Sequence, residues 1–220
     1  VERWNDDKDQ LNAEEQKIVG EETRIWGSNP NDRYFVVTND YQQAYGVWEH
    51  LNSTILAASR NAYQQKLSYN NYLTLVAHEY FHLWNVKRLR PASLGPFDYE
   101  QENYTSLLWI MEGFTSYYDN LITYRCNFRD EEDYLQTLAQ EFNLVYNRPG
   151  YALQSAGLSS FDTWIKQYRP DENSANTSIS YYNKGAMLSV ALDLKIISES
   201  KGEKRLDDVR AFFYHFINDF

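Results

Sequence analysis

Two histidines four residues apart, with a glutamate beside the first, open the case for chemistry: His78-Glu79-Tyr80-Phe81-His82. On an α-helix, residues i and i+4 lie about 40° apart around the axis and about 6 Å along it, so both imidazoles can address one ion. Glu79 falls on the adjoining face, within reach of a water beside that ion. A zinc ion held this way lowers the pKa of water towards about 7, and a nearby carboxylate can then take its proton. The pattern therefore predicts hydrolysis with one zinc per chain, His78 and His82 as ligands and Glu79 as general base. The bland alternative is a pair of buried core histidines. Two of only 4 histidines fall in this pentapeptide, and composition alone would produce the pattern in under about 1% of such chains.

A catalytic zinc wants a third protein ligand and an open fourth position. Spacing favours Glu102, whose distance from His82 is one seen in thermolysin-like enzymes. Context favours Glu112, because Glu102 falls in a loop carrying Gly95-Pro96 while Glu112 falls in a helical pattern that can hold a ligand rigidly. Asp119, two turns further along the same face, is placed to accept the outer N–H of a ligating histidine and fix its tautomer.

The elements that must position these groups follow from periodicity. Leu73, Val76, Ala77, Tyr80, Phe81 and Trp84 recur at helical spacing, predicting a helix from Asn71 that ends before Arg90-Pro91, since the residue preceding proline is biased out of the α region. Further helices are expected over 9–25, 107–123, 131–146, 184–199 and 206–217. Strand formers occur at Tyr34–Val37 and Thr54–Ala58, and Gly46, in the segment 45–50 between them, suggests a bulge or a close backbone approach. Residues 92–105 and 152–162 read as loops. The expected architecture is α+β, predominantly helical and thermolysin-like. One catalytic domain would span 1–220, with a small β-containing lobe and N-terminal helix over 1–70 and a helical lobe carrying the zinc site over 71–220.

The net charge of −10 argues against a nucleic-acid partner, which needs a basic footprint. The acidic run 130–133 reads as a solvated helix start, and Arg88 and Arg90 as cations near a helix C-terminus. Cys126 is the only cysteine, so no internal disulfide forms, and nothing around it points to a nucleophile. No apolar run is long enough to span a membrane, and the first 30 residues do not form a signal peptide. The residues mark no compartment, with the cytoplasm slightly favoured.

Extended past the second histidine, the sequence His78-Glu79-Tyr80-Phe81-His82-Leu83-Trp84-Asn85-Val86-Lys87-Arg88 with Pro91 resembles the glycyl aminopeptidase family of gluzincins. That family is related to the larger alanyl aminopeptidase and leukotriene A4 hydrolase family. Glu112-Gly113-Phe114 resembles the segment carrying the glutamate ligand in both, which would make 92–105 an insertion. Tyr182-Asn183-Lys184-Gly185-Ala186 resembles the segment whose tyrosine stabilises the tetrahedral oxyanion, a role a phenol performs by donating to the developing charge. Gly46-Val47-Trp48-Glu49-His50 resembles a G-G-x-E-H segment, with Val47 where the family usually has glycine. In the larger family the glutamate at this place binds the substrate's α-amino group. The resemblance implies a zinc aminopeptidase acting on peptides, with a preference for N-terminal Gly or Ala. Tyr182 would be catalytic, and Glu49 and Gly46 would contact substrate. An endopeptidase of the same fold, or a catalytically silent peptide-binding domain, is the alternative. Family members carry an N-terminal β domain and a C-terminal PDZ domain, so this stretch is expected to be a catalytic core with both lying outside it.

Overall fold

The computed structural model describes residues 8–43 and 46–218, without the side chains of the last four, so Tyr45 of the segment 45–50 lies outside the described residues. Its elements are α1 (Lys8–Trp26), β1 (Phe35–Tyr41), β2 (Gly46–Glu49), β3 (Ser53–Ser59), α2 (Lys66–Phe81), α3 (Leu108–Arg125), α4 (Glu131–Tyr146), α5 (Gly150–Leu153), α6 (Ala156–Phe161), α7 (Ser174–Thr177), α8 (Tyr181–Glu199) and α9 (Leu206–Asn218). This is a predominantly helical α+β fold. The chain forms two compact units, one of residues 1–88, 118–131 and 210–220, the other of 89–117 and 132–209.

In the first unit the sheet order is β1-β3-β2, with β1 parallel and β2 antiparallel to β3. Alternation puts Leu56 and Ala58 on the buried face and leaves Phe35, Val37, Ile55 and Trp48 exposed on the other. The register sets Val37, Ile55 and Trp48 side by side across the three strands. At Gly46 the structure shows an ordinary strand member in place of the expected bulge, and a Cβ there would meet no described atom of the chain within 4 Å.

Helix α2 starts earlier than the sequence pattern and stops sooner. From Asn70 onward it is buried nearly all round, at Tyr72, Leu73, Leu75, Val76, Ala77, Glu79, Tyr80 and Phe81, as a core helix must be. The apolar signal begins only where burial begins, which hides the more exposed first turn from Lys66. The helix ends at Phe81, not at Arg90, because the chain tightens into i→i+3 turns in which Leu83 N–H donates to Tyr80 O and Trp84 N–H to Phe81 O. The Arg88 guanidinium donates to the Leu83 carbonyl at 2.8 Å, the neutralising role a cation takes at a helix C-terminus. Around α2 the indoles of Trp26 and Trp84 stack at 5.7 Å. The buried Arg210 guanidinium lies over the rings of Trp26, Phe81 and Tyr118 at 5.4, 5.3 and 5.4 Å, a cation–π cluster that lets a charge live in this core.

The regular elements of the second unit are all helical. Expected as a loop, 152–162 instead carries part of α5 and all of α6, because the Ser155 hydroxyl caps α6 by accepting from Leu158 N–H at 3.1 Å. Ser180 likewise caps α8, so that helix begins three residues before the expected Lys184 and takes in Tyr181 and Tyr182. The stretch 92–105 is irregular apart from one 3₁₀ turn at Ala92–Leu94. Buried Asp193 on α8 accepts from Tyr117 Oη at 2.5 Å, Arg205 at 2.6 Å and Leu206 N–H at 2.7 Å. One carboxylate thereby joins α3, α8 and the start of α9.

Candidate active site

The end of α2 and the turn after it carry the centre of the first unit. His78, Glu79 and His82 offer ligand atoms that all lie within 4.8 Å of one another, and the two imidazoles meet edge to face at 4.8 Å between centroids. Each ring is held from behind. His78 Nδ1 hydrogen-bonds Asp119 Oδ2 at 2.8 Å, and His82 Nδ1 hydrogen-bonds the Asn85 carbonyl at 2.6 Å. With both Nδ1 atoms engaged as donors, each ring presents the lone pair of Nε2, the neutral form that ligates a metal. The donor set therefore fits zinc. Ending α2 at Phe81 does not spoil the i, i+4 relation, because His82, the C-cap, keeps αR angles of φ −64° and ψ −15°. The turn even adds to the site, since it brings the Asn85 carbonyl back to His82.

Asp119, expected as the carboxylate behind a histidine, is buried on α3, and its other oxygen accepts from the Asn120 amide at 2.7 Å. Glu79 is 1% exposed. Glu49 stands at the end of edge strand β2, where its carboxylate pairs with Lys87 Nζ at 2.9 Å. Burial alone would raise the Glu49 pKa, but His82, when that ring carries a proton, and Lys87 more than offset it and hold it below the usual carboxylate value.

In the second unit, Glu112 and Tyr182 are neighbours across one helix crossing, which their two glycines make possible. A Cβ on Gly113 would lie 2.4 Å from Gly185 Cα, and one on Gly185 would lie 2.4 Å from the Trp109 carbonyl oxygen. Only glycine at both places lets α3 and α8 touch backbone to backbone. Burial, and after it the charge of Glu112, push the Tyr182 phenol far above its ordinary pKa. It therefore stays protonated and able to donate. Glu102, the competing ligand, is exposed in its loop and accepts from Tyr104 Oη at 2.9 Å.

Three groups here went unremarked in the sequence. Lys87 lies inside the 78–88 segment but shows its partner only in space. Tyr168 hydrogen-bonds Tyr182 and lies 3.4 Å from Tyr181 Oη; among 19 tyrosines nothing singles it out. Glu22 on α1 is fully buried, and neither of its oxygens has a hydrogen-bond partner among the described residues. Burial drives its pKa well up; nearby His78 pulls down, while Asp119 and Glu21 push up. Burial also raises the Cys126 thiol to about 12, which removes it as a nucleophile.

The family model described as M61 glycyl aminopeptidase matches residues 71–188. A crystal structure of an aminopeptidase N family protein from Idiomarina loihiensis superposes with a TM-score of 0.94 at 34% identity, covering 98% of this chain. This chain spans 38% of that protein's length. No curated protein matches the sequence. From the His78-Glu79-Tyr80-Phe81-His82 pattern to the tyrosine segment of α8, the match runs over the elements just described, and the chain belongs to the M61 glycyl aminopeptidase family.

Proposed function

We propose that this chain is the catalytic portion of a zinc-dependent aminopeptidase that removes N-terminal residues, Gly or Ala among them, from peptides. The observation that carries the reading is the pair of oriented imidazoles, each held through Nδ1, with Glu79 beside them. Glu112 completes the ligand set of one zinc with His78 and His82. Its rigid place in α3 supports it over Glu102, which lies exposed in a loop beside Tyr104. When bound, the metal supplies Lewis acidity to the scissile carbonyl and to the attacking water.

The chain's own groups do the rest. Glu79 accepts a proton from the attacking water and passes it to the departing amine. Tyr182 donates its phenolic proton in a hydrogen bond to the oxyanion, and its strongly raised pKa keeps that proton in place at working pH. Asp119 keeps His78 in the ligating tautomer. Glu49 takes the ammonium of the substrate's first residue, and Gly46, with open space over its Cα, admits the substrate backbone beside the edge strand. The Lys87–Glu49 ion pair favours a second reading: a glutamate already partnered fits an endopeptidase that reads no free amine.

Elemental analysis tests the metal, and hydrolysis of alanyl- and glycyl-nitroanilide against an internally quenched peptide tests the cut. One zinc per chain is expected in the wild type and in Glu102→Ala, and none in Glu112→Ala. Loss of zinc in Glu102→Ala with retention in Glu112→Ala would move the third ligand to the loop. A wild type that takes up no zinc on reconstitution would end the metallopeptidase reading.

A further inference from the structure

The ion pair between Lys87 and Glu49 sets a primary ammonium, 2.9 Å away, on the carboxylate read above as the anchor of a substrate's α-ammonium. The two ammonium groups are chemically alike: compact, strongly hydrated, each with three donors and no acceptor. Lys87 belongs to the turn that follows the zinc-binding helix, its N–H donating to the His82 carbonyl at 3.0 Å. Its backbone is therefore fixed to one of the proposed ligands, while four methylenes let the head move. Glu49 sits at the end of β2, an edge strand paired with β3 on one side.

From this geometry we infer that Lys87 is an internal competitor for the amine pocket, and so a specificity-determining residue. In the resting protein its ammonium neutralises Glu49. A peptide with a free N-terminus binds by taking Lys87's place, while a blocked peptide gains nothing from displacing it. The lysine therefore lowers affinity for amine-bearing substrates and keeps the half-buried carboxylate paired when no substrate is present. Partly exposed ion pairs are weak, so the exchange is an easy one, and deleting the competitor is worth about 3–10-fold in affinity. The inference rests on Glu49 being the amine anchor, and the test separates the two ideas.

Binding of alaninamide and of N-acetylalaninamide is measured by calorimetry on zinc-loaded protein, with nitroanilide kinetics in parallel, for wild type, Lys87→Met, Lys87→Arg and Glu49→Gln. Lys87→Met, which keeps most of the stem and loses the charge, is expected to tighten alaninamide about 3–10-fold, to lower KM by a like factor with kcat little changed, and to leave N-acetylalaninamide where it was. Lys87→Arg, able to grip the carboxylate with two donors, is expected to weaken alaninamide. If Glu49→Gln removes the preference for the free amine while Lys87→Met fails to tighten binding, or weakens it, Lys87 holds Glu49 in place and the competitor idea is overturned with the anchor intact. If Glu49→Gln leaves the preference unchanged, the anchor itself is wrong and the competitor falls with it.

Discussion

The crossing of α3 and α8 at Gly113 and Gly185 gives the sharpest prediction. Gly185→Ala adds one methyl carbon at a point 2.4 Å from the Trp109 carbonyl oxygen and 2.8 Å from Gly113 Cα. Ordinary carbon contacts lie at about 3.5–4.0 Å, so the helices must part by about 1 Å. The obstructing atoms are all backbone, and none can swing aside. Overpacking of this kind costs about 1–3 kcal/mol, and with immovable neighbours the upper end applies. Replacing glycine by alanine inside a helix returns about 1 kcal/mol. The net is a loss of about 1–2 kcal/mol, which for a chain of this size lowers Tm by about 2–8 °C. Function should suffer more, because the shift falls between the helix bearing Glu112 and the helix bearing Tyr182. A displacement of about 1 Å at reacting groups costs on the order of 100-fold in rate. The protein carries its own control in Gly20, also within a helix, where a Cβ would meet nothing within 4 Å. Gly20→Ala should gain about 1 kcal/mol and leave the rate alone. Thermal unfolding and alanyl-nitroanilide turnover on both variants decide the matter. If Gly185→Ala rises in Tm and keeps its rate, as Gly20→Ala should, the account of the crossing is wrong.

Two further expectations concern carboxylates around His78. Asp119→Ala removes the acceptor on His78 Nδ1 and should weaken zinc about 10–100-fold in chelator competition, with Asp119→Asn losing less because its carbonyl oxygen still accepts; an unchanged affinity in the alanine variant would remove Asp119 from the site. Glu22 has a folded pKa well above its ordinary carboxylate value, so between those two values the folded protein holds a proton that the unfolded chain has released. Its contribution to stability is thus greatest at low pH and declines as pH rises, by about 1.4 kcal/mol per unit, until the folded pKa is passed. In metal-free protein the Tm advantage of Glu22→Gln should therefore grow from pH 4 towards neutrality, and a pH-independent difference would show that Glu22 is solvated after all.

Much of this molecule is legible in the sequence because the relevant physics is local. The i, i+4 spacing of His78 and His82 survives even though α2 ends between them, since one more residue in αR suffices. Periodicity places α1, α3, α4 and α9 within a residue or two, because each has sides of differing burial. It fails at the start of α2, where the first turn is too exposed to show an apolar pattern, and at α5 and α6, which are too short for a long apolar face; α6 is stabilised instead by the Ser155 cap. Chemistry that depends on long-range approach was out of reach. Nothing in the order of residues says that Gly113 meets Gly185 or that Lys87 closes on Glu49. Nor does it say that Tyr168 joins Tyr182, or that Glu22 is buried near His78. Residue types and their local spacing determined which groups could bind metal and move protons, and the resemblance of the 182–186 segment implied the oxyanion donor. The tertiary structure decided which of them have partners, because hydrogen bonds, ion pairs and burial depend on distances that only the folded chain fixes.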